Sequence, residues 1–301
     1  MRNILTLITV IAIVFSGCKT VEDDGVTTIV TTTGIIKDCI ENIVSEDIKV
    51  ISLMGAGVDP HLYKASQGDI SKLANADIII YNGLHLEGKM AQMLDNYSKS
   101  KPAYAIGNFV SKNSLKKVDE TSDLVDPHIW FNPAVWMEGL NGVAGELSKI
   151  EGLETTAANC RNYSEEVASI SSGLTQLLDS TLDNENRVLI TSHDAFEYFG
   201  DAYNFRVRGL QGISTAAEYG AKDVKDLIDF IIDNNIKSVF VETSVSDKNL
   251  RAVIEGAQAR DYELKIGGTL YSDALGAEKT PAATYIGMLQ ANVHTIIEGL
   301  K

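Results

Sequence analysis

Residues 154–182, ETTAANCRNYSEEVASISSGLTQLLDSTL, contain no proline and carry apolar side chains at Val167, Ile170, Leu174, Leu177 and Leu178. Spacings of three and four place these on one face of a helix, so the stretch reads as a single long amphipathic helix. The sequence on either side alternates differently. Upstream, Thr27 to Thr33, Ile48 to Leu53, Ile78 to Tyr81 and Ala103 to Ile106 are short β-branched or apolar runs of strand type. Segments of helical spacing separate them, such as Ile35, Ile36, Cys39, Ile40 and Ile43, or Met90, Met93, Leu94 and Tyr97.

The downstream half repeats this scheme. Val188 to Thr191, Phe205 to Val207, Ser238 to Glu242 and Leu264 to Ile266 read as strands; Ala195 to Tyr203, Ala221 to Asn234, Asp247 to Arg260 and Ala282 to Leu300 read as helices. Strand–helix alternation implies right-handed crossovers and parallel sheets. The expected fold is therefore α/β, two Rossmann-like lobes (27–153 and 186–301) joined by a linking helix at 154–185. A helix between lobes bends less readily than loops, so a large hinge motion is not expected.

The N-terminus sets the compartment. Arg2 precedes an apolar run from Ile4 to Phe15, too short to span a bilayer comfortably, which reads as a signal sequence over 1–17. Phe15-Ser16-Gly17-Cys18 resembles the lipobox of bacterial lipoproteins, which makes Cys18 the lipid-bearing first residue of the mature chain and 18–26 a tether. No second run is long enough to cross a membrane, so the lipid is the expected membrane contact. The chain has 301 residues with 41 acidic and 26 Lys or Arg side chains, a formal charge of −15. Phosphate binding needs clustered Lys and Arg, so nucleic acid is not an expected partner. Cys39 and Cys160 show no metal-type spacing and are expected to be buried free thiols.

Three of the five histidines sit in polar, turn-forming surroundings. His61 lies in Gly57-Val58-Asp59-Pro60-His61-Leu62-Tyr63 and His128 in Asp126-Pro127-His128-Ile129-Trp130-Phe131, so an Asp-Pro-His triplet occurs twice. Proline fixes φ and stiffens such a loop, which keeps an imidazole aimed at one point. An aspartate two residues earlier, Asp59 or Asp126, is placed to accept the other ring N–H of its histidine. His193 follows the strand at Val188 to Thr191, and Asp273 follows the last strand; open α/β sheets bind ligands beyond the carboxyl ends of their strands. Glu242, ending another strand, is expected to hydrogen-bond a ligand histidine. Three imidazoles and a carboxylate suit Zn²⁺ or Mn²⁺ and suit Cu⁺ poorly. Trp130 and Phe131 read as core shielding the site, and Met90 and Met93 as core. His85 is expected to make structural hydrogen bonds, and His294 to be a surface or packing residue.

Seven ordered segments carry a family resemblance: Gly57 to His61, Tyr81 to Glu87, Asp126 to Phe131, Ser192 to Phe199, Gly209 to Thr215, Phe240 to Ser244 and Ser272 to Gly276. Together they make the chain resemble the TroA-like zinc and manganese substrate-binding lipoproteins of ABC transporters over its mature length. The resemblance implies metal bound between two lobes by His61, His128, His193 and Asp273, and delivery to an ABC permease. The protein is expected to be a monomer, lipid-anchored through Cys18 to a bacterial membrane and facing the periplasm or the cell exterior. Members resembling manganese or iron binders usually have Glu at the third ligand position, where this chain has His193. Zinc-dedicated members often carry a His-rich loop, and Val110 to Val125 contains no histidine. Zinc is thus favoured, with manganese close behind. The alternatives are a metal-dependent hydrolase and a surface adhesin; no HExxH or GxSxG motif occurs. Release is expected from a local shift of the Asp273 loop.

Overall fold

The computed structural model describes residues 25–118, 123–217 and 219–301. The expected signal sequence, the lipid-bearing Cys18 and the tether up to residue 24 lie outside the described residues. Two parallel sheets organise the rest. The first contains β1 (Thr28–Thr31), β2 (Lys49–Ser52), β3 (Ile78–Tyr81) and β4 (Ala103–Ala105), in the order β2-β1-β3-β4. The second contains β5 (Val188–His193), β6 (Arg206–Gln211), β7 (Ser238–Glu242) and β8 (Lys265–Leu270), in the order β6-β5-β7-β8. In both sheets the strand order therefore reverses beside the first strand, between β1 and β3 and between β5 and β7. At such a switch point the flanking loops diverge and leave a crevice beyond the strands' carboxyl ends.

Helices α1 (Gly34–Glu41), α2 (Gln67–Asn75) and α3 (Ala91–Ser98) cross over within the first lobe, followed by α4 (Pro133–Leu147) and the long α5 (Thr156–Thr181). The second lobe adds α6 (Glu197–Tyr203), α7 (Ala221–Asp233), α8 (Lys248–Gln258) and α9 (Tyr285–Leu300). Their starts have local causes. Ser66 and Asp69 form a reciprocal capping box at α2, and Asn132 accepts the amides of Ala134 and Val135 with Pro133 in the first turn of α4. Each such cap contributes about 1 kcal/mol. Lys101 reaches back to the carbonyls of Leu73, Ala74 and Ala76 and satisfies the end of α2.

Helix α5 buries Thr156, Cys160, Tyr163, Val167, Leu174 and Leu178 as one stripe, the face its apolar spacing implies. It packs on α4 and α9, and the core there is continuous through both lobes, from Ile29 and Ile80 through Trp136 and Val167 to Phe199 and Ile296. Separate apolar layers cover the outer faces, with α2 and α3 on the first sheet and α7 and α8 on the second. Strands covered on both faces read as unbroken apolar runs, as Ile78-Ile79-Ile80 does. A core shared across the lobes opposes hinge opening more strongly than a linking helix would alone, because opening would expose it to water.

Three strands are longer than the apolar runs indicate. β5 continues to His193, β6 to Gln211 and β8 to Leu270. Gly209 and the Gly267-Gly268 pair interrupt the pattern in β6 and β8, while pairing with β5 and β7 carries the ladder onward. Consequently His193 is the last residue of a buried central strand and not part of the loop after it. Cys39 and Cys160 are free and buried, and Met90 is buried in the first lobe's outer layer. No helix of the described residues is long and apolar enough to cross a membrane.

Candidate metal centre

The second lobe builds its half of the site on strand register. Thr191 of β5 pairs with Phe240 of β7, so His193 and Glu242, each two residues further on, emerge side by side at the switch point. One Glu242 oxygen accepts the His193 amide at 2.9 Å, and the other lies 2.6 Å from the His193 Nδ1. Neighbouring Gly209 is needed for close approach, since a Cβ there would collide with the His193–Asp194 peptide. Three residues beyond β8, Asp273 is held by its flanks. Asn292 of α9 accepts the Tyr271 amide at 2.9 Å and donates to the Tyr271 carbonyl at 2.8 Å. The Ser244 hydroxyl lies 2.8 Å from that of Ser272 and 3.3 Å from the Asp273 Oδ2.

In the first lobe the Asp126 Oδ1 accepts the His128 amide at 3.0 Å and lies 2.7 Å from its Nδ1. Asn82, just past β3, donates to the Pro127 carbonyl at 3.0 Å and so ties this loop to the sheet. Glu87 fixes Asn82 in turn, accepting its amide at 2.8 Å along with the Thr32 hydroxyl at 2.7 Å. Asp59 behaves differently from Asp126. It accepts the His61 backbone N–H at 2.8 Å but, among the described residues, makes no hydrogen bond or ion pair with the His61 ring, in place of the ring pairing expected of it. Across the lobes, the Trp130 indole N–H donates to the Ser272 carbonyl at 3.0 Å, and the Trp130 ring stands edge-on to His128.

These frameworks bring His61, His128, His193 and Asp273 together, with one ligand atom from each lying within 4.8 Å of every other. His61 Nε2 is 3.2 Å from His128 Nε2; the two Asp273 oxygens are 3.5 Å from His128 Nε2 and 3.4 Å from His193 Nε2. A carboxylate beside Nδ1 requires a proton there, so His128 and His193 in their neutral forms turn Nε2 lone pairs inward. Lone pairs facing lone pairs and a carboxylate repel unless a proton or a metal cation lies between them. Among the described residues His193 Nε2 and Asp273 Oδ1 are buried without a hydrogen-bond partner, as are His193 Nδ1 and Glu242 Oε2, whose 2.6 Å approach is an ion-pair contact. Ligands about 2.0–2.1 Å from a tetrahedral ion are about 3.3–3.4 Å apart, close to the three separations above. The residues present fit a divalent transition metal.

Burial alone would lower the His193 pKa, but the Glu242 and Asp273 carboxylates outweigh it and hold that imidazole well above its ordinary value. Burial lowers His61 to about 3 despite Asp273. For Asp273 burial acts upward, and His193, His128 and His61 overcome it, keeping the carboxyl well below the usual range. In the metal-free chain the two carboxylates thus favour an extra proton on His193, one that a bound cation would displace. Loading zinc at pH 7 is expected to release about one proton, read as the dependence of calorimetric enthalpy on the buffer's ionisation enthalpy. Because the displaced proton competes with the ion, affinity is expected to fall as pH falls. A binding enthalpy independent of buffer would contradict this.

The remaining histidines lie elsewhere. His85 is exposed, at φ +64°, and its ring makes no hydrogen bond to the described residues, in contrast to the structural bonding expected of it. His294 is exposed on α9 and lies 2.7 Å from the Gln290 carbonyl. Sequence reasoning passed over Asn82, Ser244 and Thr215. Asn82 and Ser244 end or follow strands at the switch points, a position that was open to notice.

The chain matches the family described as zinc-uptake complex component A, periplasmic, over residues 29–299. It is 43% identical over 272 residues to the manganese-binding lipoprotein MntA of Bacillus subtilis (strain 168), covering 90% of this chain and 88% of that one. It is 39% identical over 286 residues to the zinc-binding protein TroA of Treponema pallidum (strain Nichols), covering 94% and 92%. The metal ABC transporter substrate-binding lipoprotein ScbA of Streptococcus cristatus is 27% identical, covering 91% and 88%. The solved structure of the T. pallidum periplasmic zinc-binding protein TroA superposes with a TM-score of 0.87 at 38% identity, covering 92% of this chain and 99% of that chain. With two parallel sheets, a shared core and a buried cluster of three imidazoles and a carboxylate already established, the match over nearly the whole described length makes this chain a member of the zinc-uptake complex component A family.

Proposed function

We propose that this protein captures one divalent transition-metal ion outside the cytoplasm, zinc in preference to manganese, and hands it to the permease of an ABC importer. The observation that carries the reading is the convergence of three imidazole nitrogens and the Asp273 carboxylate in a fully buried pocket. In this reading His61, His128, His193 and Asp273 are the ligands, while Asp126 and Glu242 orient two of the imidazoles. Lobes at 27–153 and 186–301, with the 154–185 helix between them, supply two ligands each. Cys18 would carry the lipid that keeps the mature protein, a monomer, at a bacterial membrane facing the periplasm or the exterior.

The near-tetrahedral separations favour zinc, whereas the wider pairs, up to 4.8 Å, leave room for the larger sphere that manganese prefers. Relatives named for each metal are consistent with a site that accepts both. Hydrolysis is disfavoured because a catalytic zinc keeps one position open to water and a base beside it. Here the nearby carboxylates Asp126 and Glu242 are committed to histidines. The test is to load the purified mature chain with Zn²⁺ or Mn²⁺, dialyse, and measure bound metal. One equivalent is expected, with zinc displacing manganese in competition; less than about a tenth of an equivalent of either would sink the reading.

A further inference from the structure

The two Asp-Pro-His turns are alike in one bond and different in the next. In each, the aspartate accepts the amide of its histidine, at 2.8 Å for His61 and 3.0 Å for His128. Asp126 then turns to the His128 ring. Asp59 instead offers its second oxygen across the seam, where the hydroxyl of Thr215, from the loop after β6, donates to it at 2.6 Å. Asp59 and Thr215 are half-buried, while Gly57 and Leu62 on the same first-lobe loop are exposed. That loop touches the second lobe at another point: Gly57 sits at φ +69°, and a Cβ there would lie 3.4 Å from the Thr243 carbonyl just beyond β7.

Neither end of this contact belongs to the ligand set, yet its position bears on how an ion gets in and out. His128 and His193 are 0% exposed, Asp273 1% and His61 4%. An ion cannot reach such a site unless part of the chain moves. Three of the four candidate ligands are tied down. His193 ends a central strand against Glu242, His128 is bound by Asp126 with Asn82 behind its loop, and the Asp273 loop is held by Asn292, Ser244 and Trp130. Among the described residues the His61 ring meets the rings of His128 and His193 but has no carboxylate or amide side chain bracing it from behind, and its loop has solvent-exposed neighbours. The least braced of the four side chains is therefore His61, although its loop is anchored at Tyr63, whose hydroxyl donates to Asp69 at 2.7 Å.

We propose that the hydrogen bond from Thr215 to Asp59 is a latch that keeps the His61 loop closed against the second lobe, making Thr215 a positioning residue that governs metal exchange. Because Oδ1 of Asp59 carries the His61 amide while Oδ2 carries the Thr215 hydroxyl, releasing one end loosens the carboxylate that shapes the other. The latch would open before the ion leaves, freeing His61 first and the remaining ligands afterwards. This inference rests on the metal-binding reading above.

Zinc dissociation from the full mature chain into an excess of a fluorescent chelator tests it. Thr215→Val keeps the side chain's size and removes the hydroxyl. A hydrogen bond to a carboxylate is worth enough that dissociation should accelerate about 10- to 100-fold, while the loaded protein still holds one zinc. Thr215→Ser restores the hydroxyl and should return the rate close to wild type. The proposal is overturned if the Val variant releases zinc at the wild-type rate, or if the Ser variant releases it as fast as Val. Hydrogen exchange on the zinc-loaded wild type gives an independent check that needs no variant. The amides of 57–59, 61, 62 and 212–217 should open in step with zinc release, and protection of 212–217 throughout release would overturn the latch. A wild-type chain that takes up no zinc would instead overturn the metal reading itself.

Discussion

Replacing Asp273 with Ala is expected to weaken zinc binding by about a hundredfold to a thousandfold. Zinc held by four protein ligands gains about 10–16 kcal/mol, so one ligand accounts for about 3–4 kcal/mol, or two to three powers of ten. Asp273 is the one anionic member of the cluster, and both of its oxygens face imidazole nitrogens, at 3.5 and 3.4 Å. Its loss leaves three neutral imidazoles, a +2 charge in a buried space, and less to offset the dehydration of the ion. Glu242 and Asp126 do not compensate, since both are engaged with ring Nδ1 atoms on the far sides of their histidines. Competition against a chelator of known affinity checks this, and an unchanged affinity would show that Asp273 is not a ligand.

Replacing Phe131 with Ala is expected to lower the unfolding free energy of the metal-free chain by about 3–5 kcal/mol. Phe131 is 0% exposed and stacks on Phe196 with ring centroids 4.3 Å apart, which joins the segment after His128 to the segment after His193. Phe196 continues the chain of aromatic contacts to Phe199, and Phe199 to Tyr203. Truncation therefore leaves a cavity in the core the lobes share, not in a single lobe. A loss of this size is a large share of the stability of an ordinary domain. Saturating zinc should recover part of it, because an ion that binds only the folded chain adds stability by mass action. Chemical denaturation with and without zinc measures both effects. A loss below 1 kcal/mol would mean that this seam contributes little to holding the lobes together.

The architecture was legible because parallel strands buried on both faces write themselves as apolar runs, such as Ile78-Ile79-Ile80, and because α5 shows its buried stripe at spacings of three and four. The ends of β6 and β8 were not. Gly209, Gly267 and Gly268 are strand residues because neighbouring side chains or backbone come too close for a Cβ, a fact about their neighbours and not about themselves. The cluster itself was readable from the doubled Asp-Pro-His and from the two positions at or beyond strand ends. What sequence could not distinguish was the work of two identical triplets. Asp126 faces a ring and Asp59 faces another lobe, and Thr215 lies 156 residues from the carboxylate it holds. Such partners are set by how the lobes pack, which local pattern does not encode. Asn82 escaped notice for a similar reason, since it supports His128 through the Pro127 carbonyl.

X-ray absorption of the zinc-loaded chain tests the central claim most directly, because it reads the ligand atoms around the ion without reference to affinity. One zinc per chain is expected, with a first shell of nitrogen and oxygen at about 2.0–2.1 Å, three imidazole signatures and no sulfur. The imidazole count should fall by one in each of His61→Ala, His128→Ala and His193→Ala. A shell containing sulfur, fewer than three imidazoles in the unaltered chain, or a spectrum unmoved by these substitutions would contradict the assignment of the site.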